Sequence, residues 1–226
     1  MTYTFLNRKP GYDFRTAHLF SLANNKITGM KRVAFPTMIV SLKKPDFLQR
    51  WSKSARYKIN RAEKEGLAVD RGAFLLDDIL KLFSLTAASK RLSGYTPDHF
   101  SDISSHISCS AVYFDGVMLC GHIWLIDKDE KRAILYVSAS NRHDENSDTS
   151  LTGRAHYFLL WQDGLFFRQE GIETIDLMGY DPASKDPQMQ GINQWKAATH
   201  GRQEVLYHYY PWWFYILRRV RSLLPR

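Results

Sequence analysis

Residues 110–140 read SAVYFDGVMLCGHIWLIDKDEKRAILYVSAS, and this stretch decides the fold. Here the period changes from that of a helix to that of a strand. Asp115-Gly116 falls between two such runs, 110–114 and 117–126, as the two-residue turn of a hairpin. The polar residues 127–131 make a second turn, and 133–140 a third strand. The segment therefore predicts a three-stranded antiparallel meander.

Toward the C-terminus the period changes to that of a helix. After a polar loop (141–150), an amphipathic helix is predicted over about 151–170 and stops at Gly171. A strand over 174–178 ends at Gly179, and a polar loop follows through Asp181, Pro182, Asp186 and Pro187. A short helix near 192–198, a strand over 203–209 and a helical tail over 211–226 complete the chain. Toward the N-terminus, a helix is expected from Asp46 as its cap to Gly66 as its stop, with Phe47, Leu48, Trp51, Ala55, Ile59 and Ala62 on the apolar face. A short strand at 67–74 and helices at 76–91 and after Pro97 lie between it and the meander. Residues 1–35 read as irregular, punctuated by Pro10-Gly11, Asn24-Asn25 and Gly29, with a strand at 37–42. The order predicts an α+β fold, a mixed and mostly antiparallel sheet flanked by helices.

Composition narrows the class. The 226 residues suit one domain with a short extension, here 1–210 and 211–226. With 44% hydrophobic and 24% charged residues, the chain is neither a disordered nor a disulfide-scaffold sequence. Lys and Arg total 31 against 23 Asp and Glu, a net charge of +8 that attracts polyanions such as phosphorylated donors, RNA or an anionic membrane face. The two cysteines, Cys109 and Cys120, are too few for a four-cysteine zinc site and are expected as buried thiols in a reducing compartment. No signal-peptide stretch and no run of about 18 apolar residues occurs, so a cytoplasmic protein is expected, at most docked on the inner membrane face.

Four motifs in order resemble FemAB-like transferases. They are Arg56-x-x-x-Asn60-Arg61-Ala62-x-Lys64-x-Gly66-Leu67, the strand AILYVSAS (133–140) with the helix after it, Ile175-Asp176-Leu177-Met178-Gly179, and Gly191-Ile192-Asn193-Gln194-Trp195-Lys196 followed by His200-Gly201. The likeness runs over about residues 47–210. It implies a GNAT-type fold that moves an acyl or aminoacyl group onto an amine, in the cell-envelope and polysaccharide branch. The implied donor is acyl-CoA (acetyl-CoA), with aminoacyl-tRNA as the alternative. The implied acceptor is an amino sugar or short peptide carried on a nucleotide or lipid diphosphate. The donor would lie between two splayed strands, 133–140 and 174–178, with a backbone N–H from 135–138 facing the developing oxyanion. Two departures stand out: FemAB proteins carry two such domains, and the glycine-rich pyrophosphate loop of acetyl-CoA enzymes is replaced by Ser150-Leu151-Thr152-Gly153-Arg154-Ala155.

Candidate site residues follow. Lys196 beside Trp195 matches the aromatic-lysine pair at the donor end and supplies a cation for a phosphate or an oxyanion; the plain alternative is a surface lysine beside a core tryptophan. Asp176, a carboxylate inside an apolar strand, is either a base or an acceptor for a neighbouring loop. Tyr136 is a candidate proton donor to the leaving group, or simply packed. Thr152, Gly153 and Arg154 would hold phosphate at a helix N-terminus, unless Thr152 only caps the helix and Arg154 is solvated. On the first helix Arg50, Lys53, Tyr57, Arg61 and Lys64 form a basic stripe, and Arg56, Tyr57, Asn60 and Arg61, together with Tyr180 and Asp181, would meet the acceptor or tRNA, or be a solvated face. His122 and His156 have no further ligand at metal spacing, so no metal is expected, and no serine lies in a nucleophile elbow. The tail, with Trp212, Trp213, Ile216, Leu217, Val220, Leu223 and Leu224 on one face beside arginines, fits an in-plane membrane helix or one packed on its own domain or in a dimer. The rival to an enzyme is a non-catalytic RNA- or membrane-binding module of the same fold.

Overall fold

In the computed structural model, which describes residues 2–6, 16–21, 27–89, 94–143 and 147–223, the meander forms as its period dictates. Strands β5 (Ile107–Phe114), β6 (Val117–Asp127) and β7 (Arg132–Ser140) pair antiparallel in sequence order. Asp115 and Gly116 have φ of 49° and 76°, both positive as a two-residue hairpin of type I′ requires, and Phe114 pairs directly with Val117. The β6–β7 register steps from Ile123↔Val137 to Trp124↔Leu135, which makes Tyr136 the extra residue of a β-bulge.

The chain divides into two compact units. The larger, Met38–Arg202, holds the end of β3 (Met30–Ser41), then β8 (Thr174–Asp176), β7, β6, β5 and β4 (Ala68–Arg71) in that sheet order. β8 runs antiparallel to β3 and parallel to β7. Helix α1 (Lys53–Lys64) and the long helix α3 (Thr149–Gln169) share the main core with one face of this sheet: Ala55, Ile59 and Ala62 from α1 and Leu159, Leu160 and Phe167 from α3 close over Cys120, Trp124, Leu135 and Ile175. Helix α2 (Leu76–Ser89) and the 3-10 helix Pro97–His106 bring Ile79 and Phe100 to strand residues that alternate with these. Helix α4 (Pro187–Ala197) follows the loop after β8.

The smaller unit comprises Met1–Thr37 and Gln203–Arg226. Here β1 (Thr2–Leu6) pairs parallel with β2 (Thr16–Ser21), and β2 pairs antiparallel with β9 (Arg202–Pro211), which neighbours the first half of β3. Helix α5 (Trp212–Leu223) ends the described chain.

The α+β expectation holds, with local corrections. Residues 1–35 are not irregular throughout: they contribute β1, β2 and the start of β3, whose partner β9 is remote in sequence. Asp46 makes no capping bond. A 3-10 turn, Phe47–Arg50, precedes α1, and Ser52 caps that helix by accepting from the Ala55 N–H at 3.1 Å. The turn signals Pro10-Gly11 and Asn24-Asn25, the helix end at Arg91 and the final Arg226 lie outside the described residues.

Gly121 shows how tightly α2 sits on the sheet. A Cβ there would lie 2.6 Å from Cγ1 of the fully buried Ile79. Gly121→Ala should therefore destabilise the protein by about 1–3 kcal/mol, the usual cost of overpacking. Gly153→Ala, whose Cβ meets nothing nearer than 3.7 Å in α3, should be neutral or stabilising by up to about 1 kcal/mol. Urea midpoints of the two variants check both signs.

Candidate functional site where two strands part

β7 and β8 pair over only three residues, Arg132↔Thr174 to Ile134↔Asp176. β7 then continues to Ser140, whereas β8 ends at Asp176, so the two strands part beyond this point. Asp176 is fully buried at the divergence. One of its oxygens accepts from Arg132 Nη2 at 2.5 Å and the other from the Met178 N–H at 2.8 Å. That second bond holds Met178 at φ 57°, and Leu177 donates to the Met38 carbonyl at 2.9 Å. The turn fixes the next two carbonyls. Lys196, buried near the end of α4, donates Nζ hydrogen bonds to Met178 O at 2.7 Å and Gly179 O at 2.6 Å. Burial lowers the Lys196 pKa to about 8, against the pull of the Asp176 charge, so at neutral pH it is mostly an ammonium.

An aromatic and imidazole cluster adjoins it. The Trp195 ring meets His156 at 5.9 Å and Tyr157 at 6.5 Å, and Lys58 Nζ lies 4.7 Å over Tyr157, which brings α1 to the same place. His156 in turn lies 6.0 Å from His122. His122 is fully buried on β6, and its Nδ1 lies 2.8 Å from Oδ2 of the equally buried Asp163 on α3. Asp163 also accepts from Trp124 Nε1 at 2.9 Å and from Arg71 Nη1. Burial pushes the Asp163 carboxyl up, but His122 and Arg71 more than offset this and hold it below the usual range. With Nδ1 bonded to the Asp163 carboxylate, the other ring nitrogen of His122 is Nε2. That atom and Trp195 Nε1 are buried without a hydrogen-bond partner among the described residues, a state that marks polar sites able to take a ligand. Burial drives the His156 pKa down to about 3, so its imidazole stays neutral.

The sequence candidates separate in this geometry. Lys196 and Trp195 come together with Asp176 beneath them. Asp176 is not available as a base, because both of its oxygens are committed to Arg132 and Met178. Tyr136 does not join them: its ring packs at 5.5 Å from Tyr95 and 5.7 Å from Phe100, on the side of the 3-10 helix. The phosphate reading of Thr152, Gly153 and Arg154 is also corrected. α3 begins at Thr149, and the Asp148 carboxylate takes the Ser150 and Leu151 N–H groups at 2.8 and 3.0 Å. The Thr152 N–H already bonds the Asp148 carbonyl, and Thr152 Oγ1 donates to Asn141. Arg154 is held by both oxygens of Glu65, at 2.7 and 2.9 Å, and by Ser150 Oγ. A second anion at this helix end would meet two carboxylates instead of free N–H donors.

On α1, Arg56 donates to Gln49 at 3.0 Å and Arg61 pairs with Glu65 at 2.8 Å, while Tyr57 and Asn60 stand exposed. Tyr180 is half-buried against the main core. Asp181 is exposed, and its carboxylate turns back to the Ala183 N–H at 3.2 Å. Cys109 and Cys120 are buried free thiols; burial pushes Cys109 up to about 11 and Cys120 well above its usual value, so neither is a nucleophile. No group of three or more His, Cys, Asp or Glu suited to a metal ion occurs among the described residues.

The fold is shared with solved structures. The solved structure of FemX matches with a TM-score of 0.65 at 14% identity, over 78% of this chain and 61% of that one. This is a FemX-like fold. The C-terminal DUF2156 domain of a protein assigned as lysylphosphatidylglycerol synthetase, from Agrobacterium fabrum, matches at 0.56 and 14% identity over 81% of this chain and 62% of that one. L-PGS from Bacillus licheniformis matches at 0.55 and 10% identity, over 85% and 67%. The chain thus spans less than two thirds of the length of FemX and of the Agrobacterium domain. No protein-family model matches the sequence, and no curated protein matches it. At the level of fold, the expected likeness to FemAB-type proteins is met by FemX.

Sequence reading passed over the Asp163–His122 pair. Its signal was a carboxylate on the apolar face of α3 and an imidazole within the apolar run of β6, two polar groups that burial obliges to find each other.

Two measurements check this electrostatic account. Asp176→Ala strands Arg132 and should cost about 3–5 kcal/mol in denaturant unfolding, the range for breaking a buried ion pair. The folded His156 pKa, about 3, lies below its unfolded value near 6.5, so the unfolded chain binds the extra proton between them. Stability should therefore fall as pH drops from 7 to 5. His156→Phe should remove most of that fall, as read from urea midpoints at the two pH values.

Proposed function

We propose that this chain transfers an aminoacyl group from aminoacyl-tRNA to an amine of a cell-envelope precursor, a sugar or peptide on a nucleotide or lipid diphosphate. The observation that carries the reading is Lys196: a buried ammonium fixed by two carbonyls where β7 and β8 part, with Trp195 beside it. An ammonium has three donors, and two are taken here, which leaves the third for a bound oxyanion or phosphate. In the reaction the amine nitrogen forms a bond to the ester carbonyl carbon and loses a proton. The carbonyl oxygen gathers negative charge, the ester C–O bond breaks, and the ribose oxygen leaves with a proton. Lys196 stabilises the oxygen at the moment its charge grows, in a site where burial strengthens the interaction.

Two features support tRNA over acyl-CoA as donor. The N-terminus of α3, where a CoA pyrophosphate would rest, is filled by Asp148 and the Glu65–Arg154 pair. The exposed stripe of α1, with Lys53, Tyr57, Asn60, Arg61 and Lys64, offers cations and one aromatic ring to a polynucleotide backbone. The likeness to L-PGS and to a domain assigned as lysylphosphatidylglycerol synthetase, a name that states an aminoacyl product, points the same way. Acyl-CoA stands as the second reading because the β7 bulge and the strand divergence would hold either acyl group.

A thermal-shift series decides between them. A ligand at 100 times its Kd adds about 2.7 kcal/mol, so charged tRNA should raise Tm while acetyl-CoA leaves it unchanged. The reverse result would make acyl-CoA the donor, and no shift with either would end the transferase reading. With the active donor, Lys196→Met should lower kcat/KM by about 100–1000-fold, and Lys196→Arg should not restore it. Because the ammonium is the working form, the wild-type rate should fall as pH rises through about 8.

A further inference from the structure

Helix α5 carries an exposed apolar face that the reaction does not use. Trp212, Trp213, Ile216, Leu217 and Val220 are each between 49% and 60% exposed. At 100° per residue these five positions occupy one arc of roughly 140°. The helix is fastened mainly by other residues: Phe214 stacks on Tyr210 at 5.9 Å, and Lys31 lies over Tyr215 at 5.7 Å and over Trp212, at the edge of the strip, at 5.3 Å. The exposed face is thus a continuous apolar strip on a helix already anchored elsewhere, where a solvated helix would carry polar residues.

The charge around it selects the partner. From Val205 to Arg226 there is no Asp or Glu, and the stretch holds Arg218, Arg219, Arg221 and Arg226. Helical spacing sets positions 219 and 221 at the two margins of the apolar arc, about 20° and 40° beyond its edges. Two tryptophans at one end, aliphatic residues along the face and arginines at the margins are the chemistry of a helix lying in a membrane interface, with rings at headgroup level and cations toward lipid phosphates. A second copy seated on this strip would bring the same excess of arginines and no carboxylate from 205–226 to pair with them. No helix among the described residues is long and apolar enough to cross a membrane, and twelve residues extend only about 18 Å.

We infer that α5 is an in-plane anchor that docks this protein on an anionic lipid surface. The inference stands on the helix alone, whether or not the chain is a transferase. Sedimentation of the full chain with vesicles of phosphatidylglycerol and phosphatidylcholine tests it, beside vesicles of phosphatidylcholine alone. The expected result is binding to the anionic vesicles at least tenfold tighter than to the neutral ones, weakening on going from low to high salt, with a blue shift of tryptophan emission. Ile216→Glu with Leu217→Glu should reduce binding at least tenfold while leaving Tm unchanged, and the milder Trp213→Ser should reduce it less. Absence of binding to anionic vesicles, or equal binding by the folded double variant, would overturn the proposal. So would a concentration-dependent dimer of the wild type that the double variant abolishes, which would make the strip an interface between copies.

Discussion

The bond pair at Asp176 is the constraint on which the site depends. A buried carboxylate must find donors, and this one finds them on opposite sides of the strand divergence: Arg132 on β7 and the Met178 N–H beyond the end of β8. The first bond keeps the parallel pair together for its last step. The second turns the chain at Met178, and only then do the carbonyls of Met178 and Gly179 face the Lys196 ammonium. A lysine in so buried a position would otherwise be costly. Here its charge rests on two carbonyl dipoles and on the nearby Asp176, and it remains protonated at neutral pH with a pKa of about 8.

The same physics recurs across the larger unit. Asp163 binds Arg71, His122 and Trp124; Glu65 binds Arg154 and Arg61; Asp176 binds Arg132. Each carboxylate ties α1, α3 or β8 to an element distant in sequence, and each engages an arginine inside the protein. The cations that remain for polyanions include the outer stripe of α1 and the lysine at the divergence. The excess positive charge of the composition therefore divides into internal struts and an outward field, which only the pairing distinguishes.

How much could be read beforehand follows from this division. The meander and its I′ hairpin were legible because period two and Asp115-Gly116 act over a few residues. The position of Lys196 was legible through the order of four motifs, none of which is decisive alone. Asp176 was recognisable as unusual, but its role stayed open: a carboxylate in an apolar strand looks the same whether it is a base or a strut. Asp148 was passed over as a cap, although it stands directly before the helix whose N–H groups it fills. Strand β2 was passed over because its partner β9 lies almost the whole chain away, where no local pattern marks it, and β1 joins the sheet only through β2.

By itself the sequence determined the local periods, the mixed α+β order, the amphipathic tail and the excess of positive charge, since these depend on near neighbours and on composition. Tertiary structure decided which charges are spent internally and which face outward. The deciding contacts join residues 44, 89 and 92 positions apart, Arg132–Asp176, Arg154–Glu65 and Arg71–Asp163. At such separations no spacing rule operates. The cost of burying a charge without a partner selects the pair, and that cost exists only once the sheet and its helices have closed around it.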